Sequence, residues 1–161
     1  MSFISAIVRR AETPALAALS LALAVFATLA LAHEGATGVV KERMDLMDRQ
    51  KDDMKIIGDM AKGKTPFDAA KAAEAARDIS VTAKKIPELF PEGSLHGDTE
   101  ALPAIWKDWD RFTGNAEDLD RVASELATAL DADSADWTGA FKQVVEACKA
   151  CHQDFRKKKK N

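Results

Sequence analysis

The two cysteines of the chain stand in one run, Cys148-Lys149-Ala150-Cys151-His152. On a helix these side chains occupy positions i, i+3 and i+4, so two thiols and an imidazole project from one side within about one turn. A flat cofactor lying along that side could meet all three. C-x-x-C-H is the spacing at which each thiol adds to a haem vinyl group as a thioether and the imidazole becomes an axial iron ligand. Two other chemistries use part of the set. A thioredoxin-like pair wants its C-x-x-C at a helix N-terminus beside a βαβ pattern, where the dipole lowers the thiol pKa. A structural zinc site wants a fourth ligand, which only His33 or His96 could supply. Haem leads, because the run lies about four turns into a helical pattern in a chain without strand signals.

With haem in place, the second axial position decides the function. His/Met ligation makes a six-coordinate electron carrier, whereas an open position binds small gases. His33 and His96 fall in weakly structured stretches and read as solvent-facing. Met44, Met47, Met54 and Met60 all fall in the first helical segment. A methionine stripe is by default core filler, and at most one of the four can reach iron.

Four amphipathic segments must position these groups. The first, 37–62, carries Val40, Met44, Met47, Met54 and Ala61 at helical steps, with Lys51 and Gly58 interrupting that face. Gly63 ends it. Thr65-Pro66-Phe67-Asp68 then reads as an N-cap threonine, a first-position proline and an acid in the first turn of a second helix, whose inward stripe is Ala69, Ala72, Ala76, Ile79, Ala83 and Ile86. The stretch 87–103, with three prolines and two glycines, reads as a long surface connection. A third helix keeps a strict alternation over Ile105, Trp109, Phe112, Ala116, Leu119, Ala123, Leu126 and Leu130, with a bend expected at Gly114-Asn115. Ser134 is placed to cap a fourth, whose stripe of Trp137, Phe141, Val144, Cys148, Cys151 and Phe155 includes both cysteines. Two short connections and one long one predict an all-α, antiparallel four-helix bundle.

Arg9 and Arg10, the apolar run from Ala15 to Leu31 and the closing Ala30-Leu31-Ala32 predict a signal peptide over residues 1–32. The bundle would then occupy 33–161, exported to a bacterial periplasm without stable membrane insertion after cleavage; an uncleaved anchor is the alternative. The balance of 47 % hydrophobic and 30 % charged residues excludes a disordered chain, and a formal net charge of −3 excludes a general nucleic-acid binder. The run Lys157-Lys158-Lys159-Lys160 reads as a solvated helix end, with a docking patch for an acidic partner as the alternative.

These residues together resemble the class II c-type cytochromes, the cytochrome c′ family, and especially the low-spin cytochrome c-556 type. The resemblance runs from 37 to 157. It rests on Cys148-Lys149-Ala150-Cys151-His152 followed by Asp154-Phe155-Arg156, on Ala61-Lys62-Gly63-Lys64-Thr65-Pro66-Phe67-Asp68-Ala69-Ala70, and on Pro103-Ala104-Ile105-Trp106. It implies one covalent haem c on Cys148 and Cys151, with His152 as proximal iron ligand. It also implies that Arg43 lies near a haem propionate and that Met47, four residues later, sits over the distal face. High-spin members carry a non-coordinating residue at that position, so Met47 departs from them toward the low-spin branch. Arg156 matches a basic residue beside the proximal imidazole; a surface cation is its other reading. A homodimer packed through the first two helices is a further implication.

The expected function is a non-enzymatic, periplasmic electron-transfer protein that exchanges electrons with redox partner proteins, its iron held by His152 and Met47. A five-coordinate protein that binds nitric oxide or carbon monoxide is the alternative. A haem-free dithiol or metal protein is a second.

Overall fold

The computed structural model describes residues 36–158. The expected leader over 1–32 and the last lysines of the tail lie outside them. Helix α1 is Gly38–Ala61, α2 is Ala69–Ala83, α3 is the single turn Ala104–Lys107, α4 is Trp109–Asp131 and α5 is Trp137–Phe155. A 3-10 turn, Pro87–Leu89, opens the long connection.

Ion pairs and hydroxyl contacts fix the order and direction of the bundle. Arg49 on α1 pairs with Asp78 on α2, and Gln50 Nε2 donates to Thr82 Oγ1 at 3.0 Å. Between α2 and α4, Arg77 meets Asp131 at 2.8 Å and Lys84 meets Asp120 at 3.4 Å. Arg111 on α4 pairs with Asp154 on α5. Between α2 and α4 the number rises on one helix as it falls on the other. Residues 62–68 join α1 to α2 at one end while Gln50 meets Thr82 farther along, and residues 132–136 join α4 to α5 at one end while Arg111 meets Asp154 at the other, so every neighbour is antiparallel. Three reversals leave α1 and α5 antiparallel to each other as well.

The core is built from the expected stripes, with instructive exceptions. Along α3 and α4 seven of the eight expected positions are buried, from Ile105 to Leu130, while Trp109 is 37 % exposed. The reason is a break at Asp108 between α3 and α4, which turns Trp109 outward. Helix α4 is continuous through Gly114-Asn115. On α1 the inward face is rotated from the expected stripe. Met44 is 44 % exposed and Ala61 is open, whereas Val40, Arg43, Gln50, Ile57 and Met60 are buried. Two polar residues that satisfy their hydrogen bonds inside thus stand where apolar ones were expected.

The caps shift by a few residues. Gly63, at φ +67°, ends α1 as expected. Asp68 rather than Thr65 caps α2, accepting from Lys71 N at 3.0 Å. Ser134 stands two residues before the Asp136 cap position of α5 and takes only a 3.4 Å bond from Asp136 N.

At one end of the bundle Phe112 is the hub of an aromatic cluster, with ring centroids 4.8 Å from Phe90, 5.4 Å from Phe155 and 5.5 Å from Trp109. Phe112→Ala should therefore destabilise the fold by about 3–5 kcal/mol, read from the shift of a denaturant midpoint. On α1, burial, helped by the neighbouring Asp78 and opposed by Arg49, pushes the Asp53 carboxyl up to about 7. The folded state then holds a proton that the unfolded state has released, so stability should fall as pH rises from about 4 to about 7. Asp53→Asn should flatten that fall and raise stability at pH 8, as urea titrations at several pH values would show.

Candidate functional site

Cys148 and Cys151 are free thiols, half-buried on α5 and packed against the core cluster. Burial pushes Cys148 up, and pushes Cys151 up to about 11 with Cys148 and Asp154 adding to it. Both are therefore neutral thiols on a helix interior, the opposite of the lowered thiolates that dithiol exchange needs. His152 follows and is exposed. Desolvation by the surrounding protein pushes its imidazole below the ordinary value, with Arg156 adding to the effect and Glu100 opposing it. A neutral imidazole is the ligating form.

The stripe that carries the thiols is only partly covered. Val144 and Phe155 are buried, but Trp137, Phe141, Cys148 and Cys151 are half-buried. Across from it, α1 contributes the half-buried Leu46, Met47 and Met54. The two helices approach at Gly58, where a Cβ would lie 3.6 Å from Phe141 Cζ. From that contact Met47 lies eleven residues back along α1 and His152 eleven residues forward along α5. Both are about 16 Å from the contact, at the same height in the bundle. Arg43 and Arg156 share the next level in the same way. The donor set fits a haem: two neutral thiols and an imidazole on one face, opposite thioether and aliphatic side chains.

Arg43 is 4 % exposed and its ring-facing carbon stands 3.9 Å over Phe90. Its Nε and Nη2 donate to Leu89 O at 3.1 and 2.8 Å, Nη2 also to Ser94 Oγ at 2.8 Å, and Nη1 to Thr99 Oγ1 at 3.2 Å and Ser94 O at 3.4 Å. Every partner is neutral. The guanidinium is a buried cation without a carboxylate among the described residues, and burial lowers its pKa. An anion arriving at this end would meet an uncompensated charge.

Sequence reasoning did not find the loop partners of Arg43 or the pairing of Arg156. Arg156 Nε donates to Glu100 Oε2 at 2.6 Å, and residues 100–102 pair with 155–157 as a short antiparallel bridge. No local signal marks these contacts, because the partners lie some fifty residues apart and several are backbone carbonyls.

An antiparallel four-helix bundle with C-x-x-C-H on its last helix defines a c-type haem protein. Residues 38–156 match the family model described as Cytochrome C′. The chain is 37 % identical to cytochrome c-554 of Cereibacter sphaeroides, covering 88 % of this chain and 96 % of that one. It is also 37 % identical to cytochrome c-556 of Agrobacterium tumefaciens, over 76 % and 99 % of the two chains. Among solved structures, cytochrome c prime from Shewanella frigidimarina superposes with a TM-score of 0.71 at 31 % identity, covering 74 % of this chain and 94 % of that one. The protein belongs to the cytochrome c′ family, and it carries one covalent haem c.

Proposed function

We propose that this protein is a periplasmic one-electron carrier whose iron is held by His152 and Met47, with no substrate chemistry of its own. The observation that supports this reading most is the common height of Met47 and His152 on antiparallel helices. Met47 is half-buried against the core, whereas Met44, one step earlier, is turned to solvent. Cys148 and Cys151 would hold the haem by thioethers, and His152 would ligate the iron as the neutral imidazole. The haem supplies the one-electron couple, and a thioether ligand favours its ferrous state over the ferric one relative to a second imidazole. Val144, Phe155 and Met54, apolar residues of the same two helices packed in or against the core, would help exclude water from the haem, which also sets the potential.

Arg43 is proposed to hold a haem propionate. The unpaired positive charge supports this, and a carboxylate would compete first for the long Nη1 bond to Ser94 O. Arg43→Leu should leave the haem attached while shifting the reduction potential and its pH dependence, and should destabilise the fold by about 3 kcal/mol through the acceptors left unpaired. A potentiometric titration from pH 5 to pH 9 checks it, and an unchanged potential would assign Arg43 to the loop alone.

Delivery to the periplasm would follow from the leader at 1–32. Among the described residues no helix is long and apolar enough to cross a membrane. N-terminal sequencing of the mature protein should start at His33, and a start well upstream would favour an anchor. Gas binding at a five-coordinate iron is the second reading, supported by the likeness to a solved nitric oxide complex of a cytochrome c prime variant from Alcaligenes xylosoxidans, at 28 % identity and a TM-score of 0.67. Carbon monoxide titration of the ferrous protein separates the two, since a ligated iron resists it near neutral pH.

A further inference from the structure

Helices α1 and α5 carry the two residues assigned to the iron, yet each packs chiefly on another helix, α1 on α2 and α5 on α4. At the end away from the cysteines they are held by Gly58 against Phe141. At the other end they are joined by the long connection. Arg43, one turn before Met47, donates to Leu89, Ser94 and Thr99 of that connection. Arg156, one turn after His152, pairs with Glu100, and Lys157 binds the same stretch through N to Glu100 O and Nζ to Thr99 O, both at 2.8 Å. Thr99 thus takes Arg43 on its hydroxyl and Lys157 on its carbonyl. Further bonds hold the segment in shape: Trp106 Nε1 to Phe90 O at 3.0 Å, Leu102 N to Phe155 O at 3.0 Å and Ala101 N to Thr99 Oγ1 at 3.2 Å.

We propose that residues 89–102 form a strap that fixes the separation of α1 and α5 at their haem-facing ends, with Ser94, Thr99 and Glu100 as positioning residues for the distal ligand. This rests on the reading that Met47 reaches the iron. A sixth ligand on one helix and a fifth on another stay bonded only while the gap between the helices is held. Direct packing between α1 and α5 is sparse, so the gap is carried through the strap, by these hydrogen bonds together with Phe90, which lies under Arg43 and against Phe112. The strap therefore sets how often the thioether leaves the iron, and with it the access of small ligands to the distal position.

The experiment uses the full-length, periplasmically matured holoprotein in four forms: wild type, Met47→Leu, Ser94→Ala/Thr99→Val, and Thr99→Ser. Each is followed by its ferric spectrum, reduction potential, carbon monoxide association rate and amide hydrogen exchange. The strap variant should keep its covalent haem and far-ultraviolet circular dichroism. It should exchange faster at residues 40–47, lower its potential and bind carbon monoxide roughly tenfold faster, as a tenfold larger ligand-free population requires. Thr99→Ser, which keeps the hydroxyl, should behave as wild type. If Met47→Leu becomes high-spin while the strap variant keeps the wild-type spectrum, potential and association rate, the strap is overturned and the ligation stands. If wild type is already high-spin and Met47→Leu changes nothing, the ligation reading fails. The strap is then judged on the association rate and on exchange at 40–47, and unchanged values there overturn it too.

Discussion

Replacing Met47 by leucine is expected to convert a six-coordinate low-spin haem to a five-coordinate high-spin one and to open the iron to carbon monoxide and nitric oxide, while Met44→Leu does neither. Met47 is half-buried against the core at the height of His152, and a thioether is a soft neutral ligand suited to ferrous iron. Leucine nearly conserves its volume, so the fold should lose less than about 1.5 kcal/mol. The potential should fall with loss of the thioether, which favours the ferrous form. Met44 has no such register, being 44 % exposed. Optical spectra of the three proteins in both oxidation states check this. A Met47→Leu spectrum identical to wild type would assign Met47 to the core alone.

The second large effect concerns attachment. Cys148→Ala together with Cys151→Ala should abolish retention of haem through acid-acetone extraction or denaturing electrophoresis, whereas wild type keeps it. Each thiol is free, neutral and within one turn of His152. Single replacements should leave one thioether and retain haem in part. The double variant should also lose stability, because the half-buried stripe of α5 then lacks the group that covers it; wild-type protein with two intact thiols after correct maturation would contradict the assignment.

What the sequence made legible divides along local and non-local lines. The cysteines and His152 were readable because their chemistry depends on spacing within one turn. The α4 stripe was readable because its inward residues are nearly all apolar. The face of α1 was misread by one position at Arg43 and Gln50, since periodicity treats a polar residue as a break even where it is buried and bonded. The Asp108 break escaped notice because no glycine or proline sits at it. The height of Met47 against His152 became visible only once Gly58 was placed against Phe141. The Arg43 loop contacts could not be read at all, for the acceptors are mostly backbone oxygens and small hydroxyls in a stretch whose composition says only that it is a loop.

The central claim is a low-spin carrier with iron held by His152 and Met47. Optical spectra of the periplasmically matured wild-type protein, ferric and ferrous, before and after addition of carbon monoxide near neutral pH, test it most directly. The account predicts low-spin spectra in both oxidation states and a ferrous spectrum that carbon monoxide leaves nearly unchanged. A high-spin ferric spectrum with ready carbon monoxide binding would contradict it and make the protein a five-coordinate gas binder.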